Sequence, residues 1–547
     1  MSDAKTSEQN PPPVSAGAPD ITTAGWDTVF ALRLSHVNEL LAAAIRAGDL
    51  VLPRIDWSDP SGGQFSISAP LVGFAFVGDP SLSGSQTKVK ISVGPGTLEY
   101  EGTYQTSAAD VFGQLDLRRI DDPKFVSISA QPATDFFPSR VANLTLTDAQ
   151  QKATTGADLQ EAYKSAFQQG VETNLKAFQP VLAKIDLQSA LRQSARWLAP
   201  VAVGHCVAGG VDASGNADNG TALAILCMTD PFVPGNPLPP PSFDGRLIPK
   251  DAKAAFLISG PKFNRNLLFA GLAQALYSPG KPLTPDQLAQ IEKDRLQITG
   301  QDASQVISMK PGSPAIPLRT VQVDVSPLYA VFAEAILMPW TLPFAIIGIL
   351  TTLVAEMATH GGKPNLVIPV PVQMQTLQVE RQGASVQFTV GVRCPVNIGQ
   401  LNVATIELTT VSTYSLQVAN GNFQFVRDSY SLSSKEVSLP DWLKNSQTVA
   451  EVIATIVGVI VTVVTEGDAA ALIAISIGII EASIQTTPQM IAQEIARGTG
   501  VSVPAGFDGF VATAVSPVAW MQGASFKAQS LALGEAVLFA GELAPGS

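Results

Sequence analysis

Charged side chains are scarce in this sequence. Lys, Arg, Asp and Glu make up 15% of its 547 residues, whereas soluble domains typically carry about 25%. The mean hydropathy of +0.22 is correspondingly high. The protein therefore either buries an unusual amount of apolar surface or offers some of it to a ligand or a membrane. The net charge of −12 argues against general electrostatic binding to nucleic acid or to anionic bilayers, because both are polyanionic.

Cysteine and histidine are also rare, with three residues of each. Cys206, Cys227 and Cys394 are too few for a disulfide framework and leave one odd thiol. Two interpretations stay open. One is a single Cys206–Cys227 bridge between neighbouring strands, and the other is three buried free thiols, which behave as small apolar residues.

Catalytic motifs are absent, since the chain has no Gly-x-Ser-x-Gly, His-Glu-x-x-His, Cys-x-x-Cys or P-loop sequence. His205 and Cys206 are neighbours, but adjacent strand residues point to opposite faces and cannot serve each other as base and nucleophile. Between Asp212 and Asp218, oxygen-bearing side chains alternate as calcium ligands do, but the terminal bidentate acid is missing. A hairpin turn explains the same residues. We therefore predict no catalytic residue, no cofactor and no metal site.

Composition divides the chain into segments. Residues 1–20 are polar and proline-rich and carry no signal-peptide pattern, which predicts a disordered lead. A stiff proline-rich connector at 231–250 separates a first half at 21–230 from a second half at 251–547. Because nothing directs the chain to the general secretory route, we expect a cytoplasmic location by default, with release by a non-classical route left open.

Long uncharged runs raise the question of a membrane span. Ala335–Ala355 has no charged residue over about 21 positions, enough to cross a bilayer as a helix. Pro339 and Pro343 interrupt it, however, and no Lys or Arg flanks it. We expect a helix that is buried or faces a ligand, with a bilayer span and conditional insertion as alternatives. The runs Val452–Val464 and Ala469–Ile480 are too short to cross a bilayer as helices.

Alternating apolar and polar residues indicate many antiparallel strands. Apolar residues stand at odd positions over Phe65–Leu71 and at even positions over Val72–Phe76, which predicts a bulge or sharp bend at Gly73. The alternation over Ile406–Val418 keeps one phase throughout, and a strand of that length spans about 43 Å. Such strands suit an extended twisted sheet better than a compact sandwich.

Two amphipathic helices are predicted from apolar residues spaced three and four apart. The first spans Thr23–Gly48, capped by its threonine and stopped by its glycine, and the second spans Ala157–Phe178. Their apolar stripes include the aromatic residues Trp26, Phe30, Tyr163 and Phe167. Together the patterns predict an elongated α+β fold in which long, highly twisted antiparallel sheets wrap around apolar helices.

Two stretches of the chain resemble a known family. Gly25–Ala31, Gly-Trp-Asp-Thr-Val-Phe-Ala, followed by Val37-Asn38, is similar to the opening of the P-47/OrfX proteins of clostridial neurotoxin gene clusters. Ala254–Gly260, Ala-Ala-Phe-Leu-Ile-Ser-Gly, is the second match. These proteins belong to the tubular lipid-binding (TULIP) superfamily, so the resemblance implies a BPI-like tube that binds lipid, no catalytic residues and an accessory role beside toxin genes. The alanine-rich composition and the proline-rich lead depart from the clostridial pattern.

A lipid-binding tube requires lining residues and a place for polar headgroups. The candidate lining residues are Trp26, Phe30, Tyr163 and Phe167. The candidate headgroup-binding residues are the basic side chains Lys88, Lys90, Arg118 and Arg119. The expected partners are a lipid or other apolar ligand and proteins of the same gene cluster, with peripheral membrane contact at most. The alternative is a scaffold protein of a multi-protein toxin assembly, whose tube is plugged by its own side chains.

Overall fold

The structure is a computed structural model of the chain. It describes residues 20–328, 331, 351, 367–440, 444, 448–462, 514–521 and 525–544, with short gaps at 63–64, 79–83, 155, 189–195, 209–220, 230, 234, 279–282, 301–304, 399–400 and 420–421. The predictions for Ala469–Ile480, for the turn between Asp212 and Asp218 and for all of Ala335–Ala355 except Thr351 lie outside the described residues.

Strands make up most of the described regular structure. In chain order they are β1 (Thr28–Arg33), β2 (Arg54–Ser58), β3 (Phe65–Val77), β4 (Gln86–Val93), β5 (Gly96–Tyr100), β6 (Thr103–Thr106), β7 (Ala109–Asp121), β8 (Phe125–Ala130), β9 (Phe136–Ala142), β10 (Leu146–Thr147), β11 (Ala153–Thr154), β12 (Val181–Asp186), β13 (Pro200–Ala208), β14 (Ala222–Thr229), β15 (Ala254–Ser259), β16 (Leu296–Thr299), β17 (Val306–Met309), β18 (Ile316–Asp324), β19 (Val367–Gln382), β20 (Ser385–Ile398), β21 (Leu401–Ala419), β22 (Asn422–Ser438), β23 (Val518–Trp520), β24 (Ser525–Leu533) and β25 (Ala536–Ala544).

Helices are fewer than strands among the described residues. They are α1 (Leu34–Ala47), α2 (Pro132–Asp135), α3 (Ala157–Asn174), α4, which joins Gly260–Phe263, the π-helical Asn264–Phe269 and Ala270–Tyr277, and α5 (Pro285–Asp294). Residues 448–462 are also helical. Among the helices within the described ranges, none is both long and apolar enough to cross a membrane.

The strands form three antiparallel sheets. The central sheet has the order β13-β14-β1-β15-β25-β24. The N-terminal sheet has the order β11-β10-β6-β5-β3-β4-β7-β8-β12-β23, with β2 beside β3 and β9 beside β7. The C-terminal sheet has the order β16-β17-β19-β20-β21-β22, with β18 beside β19. This sheet-rich architecture confirms the predicted fold class.

Two apolar clusters cover the opposite faces of the central sheet. The main interior contains buried side chains from all three sheets and from α1, α3 and α4. The outer cluster lies on the other face and contains many alanines together with Trp26, Leu247 and Ile248. Strand β1 contributes to both clusters, since Phe30 faces the main interior and Ala31 the outer cluster.

The prediction of a single helix over Thr23–Gly48 is wrong in its first part. Residues Thr28–Arg33 form β1, which pairs with β14 on one side and β15 on the other. Only Leu34–Ala47 is helical, and Thr23 does not cap it, because the N-cap position is Arg33. Strand β1 is buried on both faces, and such a strand shows no apolar–polar alternation. The predicted stop at Gly48 is confirmed by its φ of 83°.

The bend predicted in β3 is confirmed. The pairing of β3 with β4 shifts register between Leu71 and Gly73, and the buried residues change from odd to even positions there. Val72 departs from the predicted pattern, because it lies at the bend and 59% of its surface is exposed. A bulge turns one strand so that both of its halves can present apolar residues to the same interior.

Several other sequence predictions are confirmed. The long strand expected over Ile406–Val418 is β21, which extends further to 19 residues. Strands β13 and β14 pair as a hairpin on either side of Asp212 and Asp218, where the sequence indicated a hairpin turn. The second predicted helix is α3, which gives way to a 3-10 turn at Leu175–Ala177. The division of the chain into two halves stays a prediction, and β14 and β15, on either side of the connector, both pair with β1.

Arg33, the last residue of β1, binds the end of the connector. It is 7% exposed. Its Nε donates to the Ala252 carbonyl at 2.8 Å, and its Nη2 donates to the carbonyls of Ile248 at 2.8 Å and Pro249 at 2.9 Å. Because the guanidinium is always charged, these carbonyls replace the water it loses on burial. Arg33 thereby holds the connector against the outer cluster.

We predict that Arg33→Met lowers the thermal midpoint of unfolding. The variant leaves two buried carbonyls and one half-buried carbonyl without their donor, which costs about 2–4 kcal/mol. The matched control is Arg54→Met, because Arg54 pairs with Asp56 while both side chains are about half exposed, and such pairs contribute at most about 1 kcal/mol. Scanning calorimetry of both variants checks this, and equal midpoints would contradict the role given to Arg33.

Candidate functional site

Trp26 is packed at the edge of the outer cluster rather than on a helix. Its indole is 1% exposed, and Nε1 donates to the Pro240 carbonyl at 3.1 Å. The ring lies against the backbone of Gly204, where a Cβ atom would approach it to 2.7 Å. Trp26 therefore fixes the proline-rich connector to β13.

Phe30 lies on the opposite face of the central sheet. Its ring makes edge-to-face contacts with Trp520 and Phe526, with centroids 5.4 Å apart in each pair, and with Phe256 at 6.3 Å. The indole Nε1 of Trp520 is buried and has no hydrogen-bond partner in the described part of the chain. This aromatic group sits within the main interior.

Tyr163 and Phe167 are one turn apart on α3 and are fully buried. Their rings stack at 6.3 Å, and Phe136 packs edge-on against Phe167 at the same distance. The Tyr163 hydroxyl finds no partner among the described residues, and burial raises its pKa. The structure thus places Phe30, Tyr163 and Phe167 in one continuous interior and separates Trp26 from them.

The basic residues predicted to bind headgroups lie on the N-terminal sheet, and three of the four have a carboxylate neighbour. Lys90 lies 3.8 Å from Asp110, Arg118 forms two hydrogen bonds to Asp135 at 2.6 and 2.7 Å, and Arg119 pairs with Asp121 at 2.7 Å. Lys88 and Lys90 alternate with buried Val89 on β4, so both face away from the interior. Arg118 and Arg119 are adjacent on β7 and therefore point to opposite faces of the sheet. The headgroup role of the four basic residues stays a prediction.

The three cysteines are free buried thiols, so the alternative of a Cys206–Cys227 bridge is wrong. Strands β13 and β14 are neighbours as expected, but Cys206 lies opposite Ala224 and Cys227 opposite Val203, which leaves the thiols out of register. Burial raises the pKa of each of these two thiols to about 12. His205 Nε2 donates a hydrogen bond to the Leu117 carbonyl at 3.2 Å, and burial lowers the His205 pKa.

The two family-like stretches meet at the start of β1. The Ser259 N–H donates to the Asp27 carbonyl at 2.8 Å. The Asp27 carboxylate accepts hydrogen bonds from the Thr229 N–H at 2.7 Å and hydroxyl at 3.0 Å, and Lys262 Nζ lies 3.3 Å away. The Lys262 and Asp27 side chains are 16% and 15% exposed. Burial lowers the pKa of Lys262, and the attraction of Asp27 opposes this.

A cavity of about 310 Å³ opens beside this ion pair. Its wall comes from the loop before β1, from the corner Ser259–Pro261 between β15 and α4, and from Glu535 in the β24–β25 turn. Thr23 and Ser259 in this wall are 5% and 8% exposed. Their hydroxyls have no hydrogen-bond partner among the described residues. The cavity therefore presents polar groups that the protein itself leaves unused.

Arg381 of β19 supports the same corner from the C-terminal sheet. It is 7% exposed, and its Nη2 donates to the Glu535 carbonyl at 2.6 Å. Its Nη1 has no partner among the residues that the structure describes. Burial lowers the Arg381 pKa to about 10. Gly260 is required here, because a Cβ atom would lie 2.5 Å from the guanidinium.

The family comparison matches this part of the chain. The family described as OrfX-like, Protein OrfX2/OrfX3/P47, matches residues 23–299, just over half of the sequence. The chain belongs to the OrfX2/OrfX3/P47 family. Both family-like stretches and most of the cavity wall fall within the matched residues. No curated protein sequence matches the chain.

Solved structures extend the OrfX2/OrfX3/P47 fold over nearly the whole chain. P47 from Clostridium botulinum A2 has a TM-score of 0.57 at 11% identity and covers 95% of this chain and 98% of its own. P47 of Clostridium botulinum E1 has a TM-score of 0.54 at 12% identity, with 95% and 99% covered. A lipopolysaccharide binding protein aligns over 95% of this chain with a TM-score of 0.26, a value that does not define a shared fold. The fold of P47 therefore continues beyond the matched residues.

Sequence reasoning missed the cavity of this OrfX2/OrfX3/P47 family member. Its polar groups come from separate stretches that only strand pairing brings together, namely the loop before β1, the end of β14, the β15–α4 corner and the β24–β25 turn. The one local signal was a polar residue at the end of each family-like apolar run, Asp27 and Ser259. Assigning Asp27 to a helix concealed that signal.

We predict that none of the three thiols reacts with a thiol reagent in the native protein at neutral pH. Cys394 shares the buried setting, and its pKa is likewise raised to about 12, so very little reactive thiolate forms. In denaturant all three should react, with or without prior reduction. Titration with a chromogenic disulfide checks this, and a thiol count that rises only after reduction would contradict the free-thiol assignment.

We also predict that Gly204→Ala destabilises the protein by about 1–3 kcal/mol, because its methyl group collides with the Trp26 ring. The matched control is Gly458→Ala in the helix at 448–462, where a Cβ atom meets nothing within 4 Å. That variant should instead gain about 0.5–1 kcal/mol from helix propensity. Thermal midpoints that shift in the same direction would contradict the packing described for Trp26.

Proposed function

We propose that the protein binds a lipid or other apolar ligand and has no catalytic activity. The supporting observation is the main interior, a single apolar region shared by all three sheets and by α1, α3 and α4. Three of the four predicted lining residues belong to it. Such a region suits an elongated apolar ligand, because one chain can contact several sheets along its length. Membership of the OrfX2/OrfX3/P47 family, whose fold the chain shares, agrees with a binding role.

The hydrophobic effect alone supplies enough free energy for this function. Burying one CH₂ group contributes about 0.8 kcal/mol, so an acyl chain of about 16 carbons gains on the order of 10 kcal/mol before ordering costs. No metal, nucleophile or cofactor is needed for that step. Among the described residues no group of acidic, histidine and cysteine side chains suited to a metal ion occurs.

Two polar atoms in the main interior favour a ligand that carries oxygen acceptors. The Tyr163 hydroxyl and the Trp520 Nε1 are buried without partners in the described part of the chain. An unpaired buried donor costs about 1–3 kcal/mol. A carboxyl, ester or phosphate oxygen of a lipid would satisfy it, whereas a plain hydrocarbon would not.

The accessory role rests on the family alone. The solved relatives are P47 proteins of Clostridium botulinum, and we propose that this chain acts in the same way as an accessory protein of a toxin-type gene cluster. Its partners would then be an apolar ligand and proteins of that cluster. We further propose a cytoplasmic location before any release.

Complete packing of the predicted lining residues favours the alternative of a scaffold protein. Phe30 is 3% exposed, and Tyr163 and Phe167 are 0% exposed, so these side chains fill the space around themselves. A tube plugged in this way would present a rigid surface to protein partners. The two functions differ in whether purified protein carries a ligand.

Native mass spectrometry distinguishes these functions. We expect the purified protein to carry adducts with lipid masses, which organic extraction removes and hexadecanoic acid restores. Ligand at one hundred times its Kd should raise the stability of the extracted protein by about 2.7 kcal/mol. An adduct-free protein whose thermal midpoint does not respond to hexadecanoic acid would support the scaffold instead.

Tyr163→Phe tests the interior more locally. If a ligand oxygen accepts from the hydroxyl, the variant binds hexadecanoic acid more weakly, while the extracted protein is at least as stable as before because an unpaired donor is gone. The control is Tyr104→Phe, at a partly buried position on β6 outside α3. Unchanged affinity in both variants would remove Tyr163 from the ligand site.

A further inference from the structure

The cavity beside Asp27 has features that the proposed apolar function does not use. Thr23 and Ser259 are more than nine-tenths buried and line the cavity, yet their hydroxyls bind no described residue. Ser259 occupies the N-cap position of α4, where a serine normally accepts a hydrogen bond from the first turn, but it makes no such bond. Both hydroxyls remain available to a molecule inside the cavity.

The start of α4 adds one backbone donor, the Gly260 N–H, to the same wall, because the next residue, Pro261, has no N–H. The helix runs without interruption from Gly260 to Tyr277, and its first N–H groups have no partner within the helix. The aligned peptide dipoles place partial positive charge at this end, which favours an anion. Gly260 and Pro261 line the cavity, so the end of the helix faces it.

The nearby side-chain charges are compatible with an anion. The Asp27 carboxylate already accepts two hydrogen bonds from Thr229 and lies 3.3 Å from the Lys262 ammonium, so its charge is compensated locally. Arg381 adds a buried positive charge behind Gly260 and Glu535. Glu535 is the other carboxylate that the structure shows in the cavity wall; it is exposed to solvent and is attracted by the Arg381 guanidinium.

We propose that this cavity is a binding site for a small anionic group, a carboxylate or a phosphate. The Thr23 and Ser259 hydroxyls and the first N–H of α4 donate hydrogen bonds to it, and Lys262 and Arg381 supply the favourable field. The volume of about 310 Å³ is at the lower end of the range for small-molecule sites. The anion is either a free ion or the headgroup of a lipid, and both share this chemistry.

Calorimetric titration of the full-length protein with inorganic phosphate tests the site. We expect saturable binding that the double variant Thr23→Val with Ser259→Ala weakens at least tenfold. Both substitutions nearly preserve volume and remove only the hydroxyls. The matched control is Thr103→Val with Ser434→Ala, on exposed positions of β6 and β22, which should bind phosphate as the parent does. Phosphate binding that the first pair leaves unchanged would overturn the proposal.

Two charge variants should change the affinity for phosphate in opposite directions. Lys262→Met should weaken phosphate binding about fivefold or more, whereas Glu535→Gln should strengthen it about twofold to fivefold, because a repelling charge is removed. Lys253→Met is the control for the lysine. Lys253 Nζ lies 2.7 Å from the Glu39 carboxylate, and neither residue is part of the cavity wall. A Glu535→Gln variant that binds phosphate more weakly would contradict an anion site even if Lys262→Met failed to fold.

The source of the anion is resolved by a competition experiment. Flotation with phosphatidylcholine vesicles that contain phosphatidic acid, with and without free phosphate, shows whether the same site takes a lipid headgroup. If free phosphate abolishes flotation, the anion is a lipid headgroup. If the protein binds phosphate but does not float with the vesicles, the anion is a free ion. The absence of both phosphate binding and flotation would overturn the proposal. The site is independent of the apolar interior, so the Thr23 and Ser259 variant should retain any hexadecanoic acid adduct.

Discussion

The fold depends on the pairing of one short strand with two strands that are distant from it in sequence. Strand β1 lies between β14 and β15, and its six residues are buried on both faces. The residues it pairs with lie about 200 positions away in the sequence. The entropy cost of closing so long a loop is tolerable, because this cost grows only slowly with loop length. A charged residue stands at each end of β1, and each one is held by hydrogen bonds or an ion pair to a distant part of the chain. Asp27 is held by Thr229 and Lys262, and Arg33 is held by the carbonyls of the connector.

This placement gives the two faces of the central sheet different chemistry. The face that carries Phe30 contributes to the main interior, which extends through the N-terminal and C-terminal sheets and suits an apolar ligand. The other face is covered by Trp26 and the connector, and the polar cavity opens at its edge. The proposed apolar and anionic sites are therefore separated by the thickness of one sheet. Strand β1 contributes to the main interior, and the loop that leads into it lines the cavity.

Much of the N-terminal and C-terminal sheets was predictable from sequence, because many strands there have one buried face and alternate with period two, as β3 does. The bend at Gly73 was predictable for the same reason, since a bulge moves the buried residues from odd to even positions. Strand β1 was not readable, because burial on both faces removes the alternation and leaves Trp26 and Phe30 at helical spacing. The cavity was hidden for a different reason. Its groups are far apart in sequence, and only the pairing of β1, β15 and β25 defines their neighbourhood.

The alanine-rich composition, which departs from the clostridial resemblance, has a physical cause on the outer face of the central sheet. The cover there is thin, because the connector contains only one 3-10 turn, Gly245–Leu247, as regular structure in its described part. A thin cover can exclude water only if it approaches the sheet closely, and small side chains allow that approach. Ala31, Ala224 and Ala255 supply such a surface, and Pro239 comes within 3.4 Å of the Cβ position at Gly25. Larger side chains on this face would lift the connector and remove the carbonyls that bind Arg33 and Trp26.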